Sequence, residues 1–290
     1  ETLADDYFSG GERNLVIACE EGVEEYEDEL LQKTNTTLVV LEDKSEFNEM
    51  FLAECQKKYK PTQIIVEYNC MWGLDYLREM YMPKGWFVAQ VITTVDATTF
   101  DVYLKNMKSL FMEMAKDSDL IIFNHSTDET PAATYKRNMR AVNPKAQVVF
   151  EKEDGSQLEF EEEMPFDINA DVIEISDVDY GIWYIDAMDH PEKYDGKTMR
   201  FKAMAYTGGR LPKGYFVPGR MAMTCCAEDI TFMGLPCKYA GSGALSQRTW
   251  VEVEATVRLQ SHALFRGKGP VLTSATVKPA TPAAQDVVTF

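Results

Sequence analysis

Polar side chains that can bind ligands follow three separate apolar segments of the sequence. Glu67 ends the run QIIVE, and Asp96 ends the run QVITTVD. The run LIIF is followed by Asn124, His125 and Asp128. Carboxylate oxygens hold Mg²⁺ or orient a water molecule, and amide groups bind polar ligand edges. Ligands bind at the carboxyl edge of open α/β sheets, so we expect these side chains to share that edge. The plainer alternative is that each acid only ends a strand and faces solvent.

The segments around these side chains alternate between two periodicities. Short apolar runs predict strands over 14–19, 36–41, 64–67, 86–95, 120–123 and 146–150. Apolar residues three and four positions apart predict helices over 47–58, 74–82, 98–116 and 132–142. Cys55 falls on this helical spacing, which favours a core residue over a metal ligand. The alternation predicts an α/β fold with a mostly parallel sheet and helices on both faces.

The second half of the sequence has a different pattern. Residues 153–178 are acidic and without periodicity, which predicts a linker. A helix over 179–189 is followed by short alternating runs divided by Gly and Pro. These runs predict a small all-β domain, a five-stranded barrel of the OB type. We therefore expect domains over 1–152 and 179–280, and a loose tail over 281–290 that is rich in Ala and Pro.

Composition limits the classes of partner and the compartment. The chain has 47 Asp and Glu residues against 29 Lys and Arg residues, a net charge of −18. Nucleic acid and anionic membranes repel such a charge, so we expect neither as a partner. No apolar run reaches the roughly 18 residues of a membrane helix. The N-terminus also lacks the features of a signal peptide, so we expect no membrane insertion. The six cysteines have no regular spacing, which predicts a reducing, cytoplasmic environment.

Three cysteines of the second half, Cys225, Cys226 and Cys237, are close enough in sequence to suggest a metal site. A Zn²⁺ site would need a fourth donor, which His262 or a methionine would supply. Adjacent cysteines on a strand point to opposite faces, and cysteine is a common core residue. Packing is therefore the favoured interpretation, with Zn²⁺ as the alternative.

Residues 1–150 resemble the CobW-type P-loop GTPases, a group of metallochaperone and cobalamin-pathway G proteins. CEEGVEEYEDELL has the spacing of that family's N-E-x-G segment, in which Glu20 and Gly22 match. IIVEYNC stands where the family has a strand ending E-x-x-G, and Glu67 matches its acid near magnesium. ITTVDATTF resembles the family's V-V-D-A strand end, with Asp96 matching.

The sequence also departs from that family. LIIFNHSTD resembles the guanine-binding N-K-x-D motif; Asn124 matches, His125 replaces the Lys, and Asp128 lies one residue late. The phosphate-binding G-x-x-x-x-G-K-[ST] loop does not occur in this sequence, and the resemblance places it shortly before Glu1. We expect the chain without that loop to be catalytically inert. The C-x-C-C metal-transfer motif of the family does not occur either.

Residues 179–279 resemble the C-terminal domain of the YcgQ-type bacterial proteins, which are found beside predicted permeases. The segments PEKYDGKTMRFKAMAY, FVPGRMAMTCCAEDITFMGLPC and WVEVEATVRL carry this resemblance. It implies an OB-like barrel without an assigned biochemical activity.

The two resemblances imply a GTP-binding protein of metal homeostasis that binds GTP with Mg²⁺ and hydrolyses it slowly. In this hypothesis Glu67 and Asp96 are catalytic residues near Mg²⁺ and the attacking water. The nucleotide-binding residues would be Glu20, Gly22, Asn124, His125 and Asp128. We also expect a protein partner, either a metal-related protein or a membrane permease. The alternative is a catalytically inactive pseudo-GTPase scaffold whose OB-like domain binds a protein.

Overall fold

The computed structural model describes residues 12–19, 26–160, 164–209, 211–223, 230–265 and 267–288. The chain divides into two units, Glu1–Ala89 and Gln90–Phe290. Within the described ranges, no helix is both long enough and apolar enough to cross a membrane.

The first unit is built on a parallel sheet. Its strands are β1 (Asn14–Ala18), β2 (Thr36–Val40) and β3 (Gln63–Glu67), in the order β2-β1-β3. Its helices are α1 (Asp28–Lys33), α2 (Glu49–Tyr59) and α3 (Leu74–Glu79). Every residue of β1 is buried, as is typical of a central strand that helices cover.

Helix α2 has a clear start and a buried face. The Asn48 side chain caps it by accepting a hydrogen bond from the Phe51 backbone N–H at 3.0 Å. Leu52 and Cys55 are almost fully buried and belong to the same apolar cluster as Leu15 of β1. The prediction that Cys55 is a core residue is therefore confirmed.

The second unit contains another parallel sheet. Its strands are β4 (Ile92–Asp96), β5 (Leu120–Asn124) and β6 (Gln147–Phe150), in that order. Helix α4 (Phe100–Lys116) connects the first two strands, and α5 (Ala132–Val142) connects the last two.

An aromatic cluster holds this second sheet against its helices. The buried ring of Phe123 in β5 lies 5.1 Å from the ring of Phe100 in α4 and 5.5 Å from that of Tyr135 in α5. It also stacks on Phe150 of β6 at 4.8 Å. Such pairs contribute about 0.5–1.5 kcal/mol each beyond their burial. The cluster therefore fixes Phe123, the residue of β5 directly before Asn124.

The remaining strands form an all-β sheet. They are β7 (Val172–Glu174), β8 (Thr198–Tyr206), β9 (Tyr215–Met223), β10 (Ile230–Gly234), β11 (Cys237–Lys238), β12 (Trp250–Ser261), β13 (Lys268–Pro279) and β14 (Val287–Val288). The order is β10-β9-β11-β13-β12-β8-β7, and β14 pairs with β9. Because β8 also pairs with β9, five strands close a ring, in the order β8-β9-β11-β13-β12. Within this ring β11 and β13 are parallel, and the other neighbours are antiparallel.

Helix α6 (Tyr180–Asp189) packs on the core of the all-β sheet. Its Trp183 is fully buried, and the ring lies 4.8 Å from that of Phe201 in β8. Arg140 of α5 donates through Nε and Nη2 to the Asp189 carboxylate, and the Nε–Oδ2 distance is 2.7 Å. This two-bond ion pair ties α5 to α6.

The predicted fold class is confirmed, because parallel sheets flanked by helices precede an all-β sheet. One predicted strand is shorter than expected: of residues 86–95, only those from Ile92 onward belong to β4. The Trp86 indole N–H donates to Gln56 Oε1 of α2 at 2.8 Å, and Gly85 has a φ of 95°. Trp86 therefore packs on the first unit's core, whereas Phe87 and Val88 are exposed and lie outside any strand.

Two segments expected to be irregular contain strands. β7 lies in the predicted linker and pairs in parallel with β8. β14 lies in the predicted tail, and its Val288 is 3% exposed. The expectation of a loose tail is therefore wrong for these residues, because β9 offers them a hydrogen-bonding edge. The domain boundaries at 152, 178 and 280 stay a prediction.

Candidate functional site

Asp96 and Asn124 lie side by side at the carboxyl edge of the second parallel sheet. They are the last residues of β4 and β5 and are directly opposite in the parallel register. The backbone N–H of Ala97 donates to the Asn124 carbonyl at 3.0 Å, which extends the pairing beyond the strand end. Both side chains therefore leave the sheet from adjacent positions.

The Asp96 carboxylate is held in a tight local turn. Its Oδ1 accepts hydrogen bonds from the Thr98 hydroxyl at 2.6 Å and from the Thr98 backbone N–H at 2.9 Å. The hydroxyl bond is the main reason that the pKa of Asp96 lies below its ordinary value of 3.8. A negative charge is therefore kept at this edge at neutral pH.

His125 and the Asn124 amide complete this edge. His125 has a φ of 51°, a backbone conformation that costs energy for any residue other than glycine. Its half-exposed ring places Nδ1 3.7 Å from Asp96 Oδ1, close enough for an ion pair when the imidazole is protonated. Asn124 Oδ1 is buried and has no hydrogen-bond partner among the described residues. A buried acceptor without a donor is uncommon, and an N–H group of a ligand is one donor that would satisfy it.

Asp128 lies in the loop after β5, where it is paired with a cation. Its Oδ1 accepts a hydrogen bond from Lys152 Nζ at 2.8 Å, and this contact raises the pKa of Lys152. The Ser126 backbone N–H anchors the same loop by donating to the Glu151 carbonyl at 2.9 Å. The loop is thus tied to the chain that follows β6, and the Asp128 carboxylate already has a partner.

Glu67 ends β3, a strand of the first unit's sheet. Its exposed carboxylate accepts a hydrogen bond from the Tyr26 hydroxyl at 2.8 Å. Burial, and then this bond, raise the pKa of Tyr26. The Cys19 backbone N–H donates to the Glu67 carbonyl at 2.9 Å, and burial raises the pKa of the Cys19 thiol to about 12. Glu67 thus lies at the edge of a different sheet from Asp96 and Asn124, so the expectation that these side chains share one sheet edge is wrong for Glu67.

Four of the predicted site residues lie outside the described residues, namely Glu20, Gly22, Cys225 and Cys226. Cys237 is fully buried in β11, where burial raises the pKa of its thiol to about 12. A neutral buried thiol is typical of a packing residue. In the parts of the chain that the structure describes, no three His, Cys, Asp or Glu side chains are grouped to hold a metal ion.

Asp96 suits a Mg²⁺ ion that is bound mainly through phosphate oxygens and water. Nucleotide sites commonly hold Mg²⁺ through one or two protein carboxylates. Both hydrogen bonds from Thr98 go to Oδ1 of this charged carboxylate, which leaves Oδ2 for a ligand. Zn²⁺ prefers nitrogen and sulfur ligands. Among the described residues, His125 is the one nitrogen ligand beside Asp96 at this edge.

Some hydrogen-bond partners of the candidate side chains can be predicted from the sequence, and others cannot. Thr98 follows Asp96 by two residues, the spacing of a local turn closed by an Asp side chain, and that spacing is a usable signal. Lys152 and Tyr26 reach Asp128 and Glu67 from distant parts of the chain. No pattern in the sequence marks either of them.

The family model of the DUF1980 C-terminal domain matches residues 150–288, a range that includes β7 to β14. The crystal structure of the Zn(II)-bound YjiA GTPase from E. coli is similar, with a TM-score of 0.38 and 10% sequence identity. That similarity covers 97% of this chain and 85% of the YjiA chain. At this TM-score it supports no argument about fold or function. No curated protein matches the chain. Fold and family model together define an α/β chain whose second half is similar to the DUF1980 C-terminal domain.

Proposed function

We propose that this protein binds a purine nucleotide with Mg²⁺ at the carboxyl edge of β4 and β5 and acts in metal homeostasis. Slow hydrolysis would need the phosphate-binding loop that this sequence lacks, so the sequence by itself is expected to be inert. The observation that carries the proposal is the paired register of Asp96 and Asn124 on adjacent parallel strands, with His125 beside them. Open α/β sheets bind ligands at this edge. The resemblance of the sequence to CobW-type GTPases supports the choice of a nucleotide and of metal homeostasis.

Because the two side chains leave adjacent strand ends, they would contact neighbouring parts of the ligand. The charged Asp96 carboxylate would face the phosphates, whose charge Mg²⁺ would neutralise when bound. The unpartnered Asn124 Oδ1 would accept an N–H of the base. By the CobW-type resemblance we also propose a catalytic role for Glu67 and nucleotide contacts for Glu20 and Gly22. Catalysis in such sites is mostly positioning and electrostatics.

Base discrimination in the proposed site is expected to be weak. Asp128 would have to leave Lys152 before its carboxylate could bind a guanine edge. His125 lacks the aliphatic stem with which a lysine covers a base. We therefore expect GTP and ATP to bind with similar affinity.

Calorimetric titration of the full chain with GTP and ATP, with and without Mg²⁺, tests the proposal. Asn124→Ala should weaken binding about tenfold, the usual effect of one lost hydrogen bond to a ligand. Asn106→Ala is the matched control, because Asn106 is exposed on α4 and bonds only its own helix among the described residues. Phosphate release measured on the same samples tests turnover. Absence of binding at millimolar nucleotide would refute the proposal.

A second candidate function is a pseudo-GTPase scaffold whose all-β part binds a protein partner. It is favoured by the fact that two candidate carboxylates are already bonded, Asp128 to Lys152 and Glu67 to Tyr26. The same titration separates the candidates, because a scaffold should not bind GTP or ATP at millimolar concentration. The five-stranded ring supports the proposal that the all-β part is an OB-type barrel, an architecture that presents binding loops.

A further inference from the structure

The charge of the chain is unevenly distributed along the sequence. Of the 47 Asp and Glu residues, 33 precede residue 164. Between positions 196 and 285, by contrast, twelve Lys and Arg residues accompany only four Asp and Glu residues. The ring of strands is therefore basic, although the chain as a whole is acidic. A local basic surface can attract a polyanion that the net charge would repel.

Two of those four acids lie opposite cations within the ring. Glu254 of β12 lies opposite Arg200 of β8, and the Oε2–Nη2 distance is 2.7 Å. Glu252 lies opposite Lys202 on the same two strands. The other two acids, at 228 and 229, lie outside the described residues. The lysines near β9 and β11 have no such acid opposite them, so that part of the ring carries a net positive charge.

Aromatic rings and lysines meet where β9 begins. Tyr215, the first residue of β9, is paired with the exposed Lys238 of β11. The ring of Tyr215 lies 5.1 Å from that of His262, and His262 lies 6.3 Å from Phe265. Tyr215, His262 and Phe265 are all half-buried, so each is anchored and still reaches the surface. We call these four residues the aromatic–lysine face.

Two more exposed lysines flank this face. Lys213 precedes Tyr215 by two residues, and Lys268 follows Phe265 by three, at the base of the hairpin between β12 and β13. Neither these lysines nor Lys238 forms an ion pair with any described residue. Their positive charge is therefore available to a ligand.

His262 is oriented and uncharged at neutral pH. Its Nδ1 accepts a hydrogen bond from the Leu264 backbone N–H at 3.2 Å, which leaves the ring proton on Nε2. Nε2 is buried and has no hydrogen-bond partner among the described residues. Burial lowers the pKa of His262, which keeps the imidazole neutral. A flat neutral ring that reaches the surface is suited to stack on a base.

We propose that the aromatic–lysine face binds single-stranded nucleic acid, with bases stacking on Tyr215, His262 and Phe265 and phosphates contacting the lysines. Stacked rings beside a basic groove are the common design of sequence-tolerant single-strand binding, and OB-type barrels use such a face. A duplex hides the faces of its bases, so it would lose the ring contacts. A carbohydrate polyanion would use the lysines alone. This inference revises the expectation from net charge that nucleic acid is not a partner.

Fluorescence anisotropy with a labelled oligo-dT of about 20 nucleotides, at about 50 mM salt, tests the proposal on the full chain. Tyr215→Leu should weaken binding roughly 5- to 100-fold, the range for loss of one stacked base. Tyr103→Leu is the matched control, because Tyr103 is an exposed tyrosine of α4. Tyr215→Phe keeps the ring and should restore binding. Phe265→Leu provides a second ring variant if Tyr215→Leu fails to fold.

Salt dependence tests the lysine contacts separately. Lys238→Gln should lower the slope of log affinity against log salt by about 0.7, the value for one single-strand phosphate. Lys278→Gln is its control, because Lys278 is an exposed residue of β13 that lies opposite Glu252. No binding of oligo-dT or oligo-U would overturn the proposal. So would equally tight binding of heparin or duplex DNA that Tyr215→Leu leaves unchanged.

Discussion

The three acids proposed for nucleotide binding differ in the hydrogen-bond partners that they already have. Asp96 is bonded to Thr98 within its own turn, Asp128 to Lys152, and Glu67 to Tyr26. The sequence predicts the acids because each follows an apolar run. It does not predict the two distant partners, since a side chain–side chain bond across more than twenty positions leaves no local pattern. Asp96 therefore has its partner within its own turn, whereas distant residues hold Asp128 and Glu67. In each case the bond goes to one carboxylate oxygen.

The pKa of Asp96 depends on the Thr98 hydroxyl. We predict that Thr98→Ala raises this pKa toward the ordinary value of 3.8, because the largest stabilising bond to the carboxylate is lost. Carbon-detected NMR titration of the Asp96 carboxyl measures it. The folded pKa is lower than the unfolded one, so this contribution to stability is complete above the ordinary value. It is lost as the pH falls through the folded pKa.

Thr99→Ala is the control for this experiment. The Thr99 hydroxyl donates to the Asp96 backbone carbonyl at 3.4 Å and does not touch the carboxylate. Its removal should leave the pKa of Asp96 unchanged. Equal shifts in the two variants would mean that the turn as a whole, and not the hydroxyl, sets the pKa.

Helices and strands with a strong hydrophobic period are predicted well from the sequence. Short strands that form only by pairing with a neighbouring strand are not. α5 spans Ala132–Val142, as the sequence predicts. β7 and β14 have three and two residues. Segments this short carry no measurable period, and their structure comes from the edges of β8 and β9.

A buried arginine anchors the C-terminal segment to β9. Arg220 is fully buried, with Nη1 3.3 Å from Asp177 Oδ1 and Nη2 donating to the Gln285 carbonyl. The guanidinium lies over Trp250, 5.1 Å from the ring centre. Asp177 Oδ2 also accepts from the Ala284 backbone N–H at 3.2 Å. Asp177 therefore bridges β9 and the segment that contains β14.

We predict that Asp177→Ala lowers the free energy of unfolding by about 3 kcal/mol, because it leaves a buried arginine without its counter-ion. Hydrogen exchange at residues 284–288 should also become faster. Denaturant unfolding and exchange mass spectrometry measure the two effects. Asp171→Ala, at an exposed aspartate, is the control. If both variants unfold alike, the segment is held by strand pairing alone.

For the molecule as a whole, positive charge is concentrated in one stretch, residues 196–285, although both halves of the sequence are net negative. The acidic first half contains the parallel sheets, and the basic ring of strands lies in the second half. Net charge is therefore a poor guide to partners here, because it averages over surfaces that meet different ligands. The fold class was predictable from periodicity, whereas the aromatic–lysine face depends on strand register and on a hairpin that brings His262 to Tyr215.

Nucleotide binding at the carboxyl edge of β4 and β5 can be located by NMR. Titration of the ¹⁵N-labelled full chain with GTP and Mg²⁺ should shift the amide signals of Asp96 to Thr98, of Asn124 to Asp128, and of the Asn124 side chain. Saturating shifts at these residues, which require about tenfold more GTP in Asn124→Ala, are the predicted result. No shift at millimolar GTP, or shifts located elsewhere in the chain, would contradict the proposed site.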